Sequence, residues 1–201
     1  MLRPGDVLLF EDKKFDLQHI GPIGIRLITG NRVTHVGIVI DTNPGNEDWI
    51  AWADTNPKVT MRIQTSSIEA LKKDYHSALK LTGIAHLPDD WYRKYPIEPF
   101  FNAVAEQIRG TNASRHYSYR VIMGFMIDHL WRRFRSDNEP YRSWLGSNGY
   151  VCSSLVAKVI DEVVGKYLSN WHRGKSNFNV WEPDDFTTDL FQVELWNSKT
   201  S

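Results

Sequence analysis

The chain contains a single cysteine, Cys152, and seven histidines. Cys152 follows the polar loop Ser147-Asn148-Gly149-Tyr150. It begins a stretch in which Val151, Leu155, Val156, Val159, Ile160, Val163 and Val164 recur at helical spacing, with Lys158, Asp161 and Glu162 on the other side. A cysteine at a helix start meets backbone N–H groups without helical acceptors and the positive end of the helix dipole. Both favour thiolate, the nucleophilic form, and the same amides can hold an oxyanion during acyl transfer. Set against this, the commonest fate of a lone cysteine is to pack as a small hydrophobe. What strengthens the chemical reading is a base. His35 opens the run Thr34-His35-Val36-Gly37-Ile38-Val39-Ile40-Asp41, and an imidazole beside a thiol takes and returns the proton that acyl transfer requires. His19, His76, His86, His116, His129 and His172 lie beside breaks, polar neighbours or element ends and give weaker signals.

The elements that must position this pair follow from periodicity. Val7–Phe10, Thr34–Asp41, Trp49–Asp54, Val59–Ile63 and Leu79–Leu87 read as strands separated by turn signals such as Asn43-Pro44-Gly45 and Asn56-Pro57. Residues 20–28 read as a short helix ending near Gly30, and Ser66-Ser67-Ile68-Glu69 as a capping box opening another. Phe100, Phe101, Val104, Ala105 and Ile108 mark a helix, Val121 to Leu130 a second, and Leu190–Trp196 a closing strand. Strands first, helices later and a strand to finish is an α+β order. At 201 residues, with no linker or repeat, the chain reads as one domain, 1–201, with a helical and loop elaboration around 97–149.

Composition excludes several functions. With 24 basic and 24 acidic side chains the formal net charge is zero, so no overall basic field attracts nucleic acid or anionic lipid, and no Gly-rich phosphate loop is present. One cysteine supplies neither an internal disulfide nor a multi-cysteine metal site. No stretch is apolar for long enough to span a bilayer, and no secretory h-region opens the chain. A cytoplasmic location is therefore the default expectation, with phage association or a non-standard export route as alternatives. Trp131-Arg132-Arg133-Phe134-Arg135 is the one local basic patch, read first as a solvated helix end.

Four segments together carry a resemblance. Arg3-Pro4-Gly5-Asp6-Val7-Leu8-Leu9-Phe10 followed by Thr34-His35-Val36-Gly37-Ile38 resembles the opening of papain-like hydrolases of the NlpC cell-wall peptidase type. The cysteine follows the histidine by more than a hundred residues, the order of the circularly permuted, YiiX-like branch. Arg109-Gly110-Thr111 leading to Tyr117 and Tyr119, Tyr150-Val151-Cys152-Ser153-Ser154-Leu155-Val156, and Glu182-Pro183-Asp184-Asp185-Phe186 before Leu190-Phe191-Gln192-Val193 agree with that branch, although the spacing to tyrosine is longer here. The resemblance implies a small antiparallel sheet or half-barrel against a helical layer, with Cys152 as nucleophile and His35 as general base and acid.

It also implies a third, polar residue that orients the imidazole from the next strand. Asp54 is the candidate there, while another register would offer Trp52, and Asp54 read by itself is equally a turn residue. Ser153 and Tyr150 flank the thiol and are candidates for supporting the oxyanion and the helix start, with packing as the alternative for Tyr150. The expected activity is hydrolysis of a peptide amide of bacterial cell wall through an acyl-enzyme, with no metal or organic cofactor. An acyl or lipid ester substrate, or acyl transfer on the same fold, is the alternative. A binding or structural module without turnover, in a phage particle or envelope assembly, is a further one.

Overall fold

Val7, Leu8, Leu9 and Phe10 are all buried, so both faces of the strand they form are covered, as a continuous apolar run anticipates. The computed structural model describes residues 2–12, 26, 30, 32–41, 48–53, 61–66, 79–94, 119–132, 134, 151–164, 183–187 and 191–195. In chain order the elements are β1 (Val7–Asp12), β2 (His35–Asp41), β3 (Asp48–Ala53), β4 (Met61–Ser66) and β5 (Leu79–His86). They are followed by α1 (Asp89–Lys94), α2 (Tyr119–Arg132), α3 (Cys152–Val164), a 3-10 turn (Pro183–Thr187) and β6 (Gln192–Leu195). The strands form one six-stranded sheet, order β4-β3-β2-β1-β5-β6, with every pairing antiparallel. Helices and an antiparallel sheet in this order make the chain α+β.

The register sorts side chains by face. Val7 pairs with Ile38 and Leu9 with Val36, while Leu8 pairs with Gly37 and Phe10 with His35. Successive residues of a strand point to opposite faces. Val7, Leu9, Val36, Ile38 and Ala85 therefore share a core cluster with Cys152, Leu155, Val156, Val159 and Ile160 of α3, which packs across β2 and β3. Phe186 and Phe191, with ring centroids 5.5 Å apart, and Trp91 of α1 complete it. Leu8, Phe10, Val39 and Ile84 are also buried, outside that cluster. Ile160 is fully buried, so Ile160→Ala is expected to cost about 3 kcal/mol in chemical denaturation, from lost transfer energy plus the cavity left behind.

Local chemistry explains the ends of the elements. Arg3-Pro4-Gly5-Asp6 is a turn in which the Asp6 N–H donates to Arg3 O at 3.0 Å and Gly5 has φ +91°. Proline before a positive-φ glycine is the pattern of a type II turn, and it delivers the chain into β1. Gly30, at φ +72°, donates its N–H to Arg26 O at 2.9 Å, the left-handed stop expected where the sequence predicts a helix end.

Ser66, read as a helix cap, is the last residue of β4 opposite Asp48, and the rest of the capping pattern, residues 67–69, lies outside the described residues. Asp89 and Asp90 follow the end of β5 and open α1, a helix absent from the sequence reading. Pro88 accepts the Trp91 N–H at 2.9 Å, acids occupy the first turn, and Arg93 and Lys94 occupy the last. The predicted helix around Phe100–Ile108 lies outside the described residues.

Candidate functional site

Cys152 is the first residue of α3, where the sequence places it. Val151 acts as the cap residue, and Leu155 donates the first helical bond back to Val151 O at 3.0 Å. Ser154 closes the helix start: its Oγ accepts the Val151 N–H at 2.9 Å and lies 3.1 Å from Val151 O. This is the serine counterpart of a capping box, in which the third helical residue reaches back to the cap. The sequence reading assigned support of the helix start to Ser153 and Tyr150 and missed Ser154. Ser153 is fully buried, and Tyr150 lies outside the described residues. The N–H groups of Cys152, Ser153 and Ser154 precede the first helical bond and have no acceptor within the helix. Cys152 itself is 2% exposed and belongs to the core cluster. The first six residues of α3 are all buried, so its polar face begins only at Lys158.

His35 is the first residue of β2, the strand across which α3 packs, so the fold brings the elements bearing both residues together. Pleating places His35 with its partner Phe10, their ring centroids 5.9 Å apart, on the face opposite Val36 and Ile38. His35 is half-buried, whereas Val36, Gly37, Ile38 and Val39 after it are buried. β3 ends at Ala53, one residue before Asp54, which lies outside the described residues.

A polar cluster that sequence reasoning missed surrounds Asp6. This carboxylate is fully buried at the entry to β1. Its Oδ2 accepts the Arg3 N–H at 2.7 Å, and its Oδ1 accepts the Tyr92 hydroxyl at 2.6 Å. His86 Nδ1 lies 2.9 Å from the same Oδ1, though without the directionality of a hydrogen bond, and His86 Nε2 lies 3.4 Å from Glu194 Oε2 on β6. The Arg3 guanidinium stacks over the Tyr92 ring, 4.0 Å from its centroid, and pairs with Asp89 at 2.6 Å. The cluster thus ties together the turn before β1, the end of β5, α1 and β6. Tyr92 also packs against the core that holds Cys152. Nothing local in the sequence marks this aspartate as buried.

These contacts set ionisation. Burial, reinforced by the Asp6 charge and hydrogen bond, pushes the Tyr92 hydroxyl well above its ordinary value of 10.0. Hydrogen bonding and charge from Arg3 hold the exposed Asp89 carboxyl below its ordinary value. Burial opposes the charge on Arg3, but the bond to Asp89 and the nearby negative groups raise its pKa on balance. Because folding raises the Tyr92 value, its contribution to stability is fully present below pH 10.0 and is lost as pH rises beyond that. Tyr92→Phe is therefore expected to be less stable than the parent at pH 7, with the gap narrowing above pH 10.0, in urea titrations at both pH values.

Among the described residues no group of three or more His, Cys, Asp or Glu side chains is placed to hold a metal ion. No helix among them is long and apolar enough to cross a membrane. No family model matches the chain, and no curated protein matches it.

Proposed function

We propose that the chain is a thiol hydrolase with a permuted papain-like fold of the NlpC type, in which Cys152 is the nucleophile and His35 the general base and acid. One observation carries the reading: Cys152 opens the helix that packs across the strand opened by His35. In the proposed reaction His35 takes the thiol proton and the sulfur attacks the carbonyl carbon of an amide or ester. The amides at the start of α3 stabilise the resulting oxyanion. His35 then protonates the departing nitrogen or oxygen, leaving a thioester. Water, deprotonated by the same imidazole, attacks the thioester and returns the thiol and a carboxylic acid. Pleating sets His35 with Phe10, on the face opposite Val36 and Ile38, so the proposed proton transfer requires the imidazole to reach the sulfur past the start of β2. Asp54, one residue past β3, is the proposed orienting group. The proposed substrate is a peptide amide of bacterial cell wall, with an acyl ester of lipid as the alternative on the same chemistry.

The burial of Cys152 in the core and the packing of the His35 ring beside Phe10 favour a second reading, a binding or structural module without turnover. Incubation with purified peptidoglycan fragments and with lipid esters, read by product mass, separates the two. The hydrolase reading expects one substrate class to gain a water across an amide or ester bond. The module reading expects both to be recovered intact.

A further inference from the structure

The stretch from Arg115 to Arg135 contains five arginines and a single acid, Asp128, in a chain whose formal net charge is zero. Most of it forms α2, along which both buried and exposed side chains are described. Gly124 and Asp128 are buried and mark the face turned to the protein. Met123, Leu130 and Trp131 are each close to half exposed, and Phe134 is 87% exposed. Phe134 lies in the turn after the helix, its N–H donating to Trp131 O at 3.1 Å. Within the helix the partly buried Ile127, Leu130 and Trp131 follow Met123 at offsets of four, seven and eight residues. They therefore lie along one stripe of the helix. An apolar stripe on the solvent side of a helix, ending in aromatic residues interleaved with Arg132, Arg133 and Arg135, has the chemistry of a surface that lies in a membrane interface.

We propose that α2 and the turn after it dock the protein peripherally on a bilayer containing anionic phospholipid. The stripe enters the headgroup and acyl boundary, and the arginines meet the phosphates. The charge argues for this occupant over others. A second copy placed stripe to stripe would bring two arginine-rich segments together. A nucleic acid or other anionic polymer would satisfy the arginines and leave the stripe in water. The proposal does not depend on the chemistry at Cys152.

The test is flotation of the full chain with vesicles of phosphatidylcholine, with and without about 30% phosphatidylglycerol, alongside size-exclusion chromatography. The parent protein is expected to float with the anionic vesicles and to lose most of that binding at about 0.5 M salt. Phe134→Ser is expected to weaken partition about tenfold. Arg132→Gln combined with Arg135→Gln is expected to weaken it roughly 25-fold. Circular dichroism matching the parent excludes unfolding for both variants, whose altered side chains lie at or beyond the helix end. No flotation, flotation independent of phosphatidylglycerol, or binding that ignores Phe134 overturns the proposal. So does a dimer that Phe134→Ser converts to monomer, which would assign the stripe to self-association.

Discussion

Cys152→Ala is expected to lower turnover of a susceptible amide or ester by at least about 10³-fold, because the proposed acyl-enzyme has no other thiol in the chain on which to form. Stability should change little. Removing one sulfur from a packed core costs about 1 kcal/mol, so the variant should remain folded at room temperature. His35→Gln is expected to lower the same activity by roughly 10²- to 10⁴-fold, the range over which a positioned acid–base group acts. A purely structural Cys152 predicts the same cost of about 1 kcal/mol with any activity retained. Kinetics on the purified variants, paired with urea titration, tell the two patterns apart.

The second large effect concerns stability. Asp6 is fully buried and receives the Arg3 amide and the Tyr92 hydroxyl, with His86 2.9 Å away. Asp6→Ala would leave buried donors without an acceptor at the junction of four elements. It is expected to cost about 3 kcal/mol, because bonds to a charged group are worth more than neutral ones and the orphaned donors pay their desolvation in full. For a chain of this size that is roughly a 10 °C fall in Tm. Asp6→Asn, which keeps an acceptor oxygen, is expected to lose less, about 2 kcal/mol. Thermal melts followed by circular dichroism measure both.

How much of this was legible beforehand depends on the range over which each feature is encoded. Val7–Phe10, Thr34–Asp41 and Leu79–Leu87 read as strands because apolar and β-branched runs bounded by turns are local signals, and β1, β2 and β5 lie there. The helix from Cys152 read clearly because its apolar positions repeat over four turns. The capping pattern at Ser66 is also a local signal, while the pairing of Ser66 opposite Asp48 depends on a strand eighteen residues earlier. α1 was missed although Pro88, two acids and two bases announce it, because a helix of six residues offers too little periodicity to register.

The site divides along the same line. Placing Cys152 at a helix start and His35 at a strand start needed only local pattern. Their relation did not follow from it, because which face of β2 meets α3 is decided by the register Phe10↔His35 and Leu9↔Val36. The Asp6 cluster was invisible for a similar reason. Tyr92 and His86 reach Asp6 across eighty and more residues of chain. Asp54 and Tyr150 lie outside the described residues, so their roles remain part of the proposal.

The central claim is that Cys152 is an activated nucleophile served by His35. The most direct measurement is the rate at which iodoacetamide alkylates Cys152 in the native protein as a function of pH, read by intact mass, in the parent chain and in His35→Gln. The account predicts alkylation faster than that of free cysteine at pH 6 to 7, with a titration midpoint below about 8.5 that moves upward in the variant. A thiol that reacts no faster than free cysteine across that range, or whose profile is the same with and without the imidazole, would contradict it.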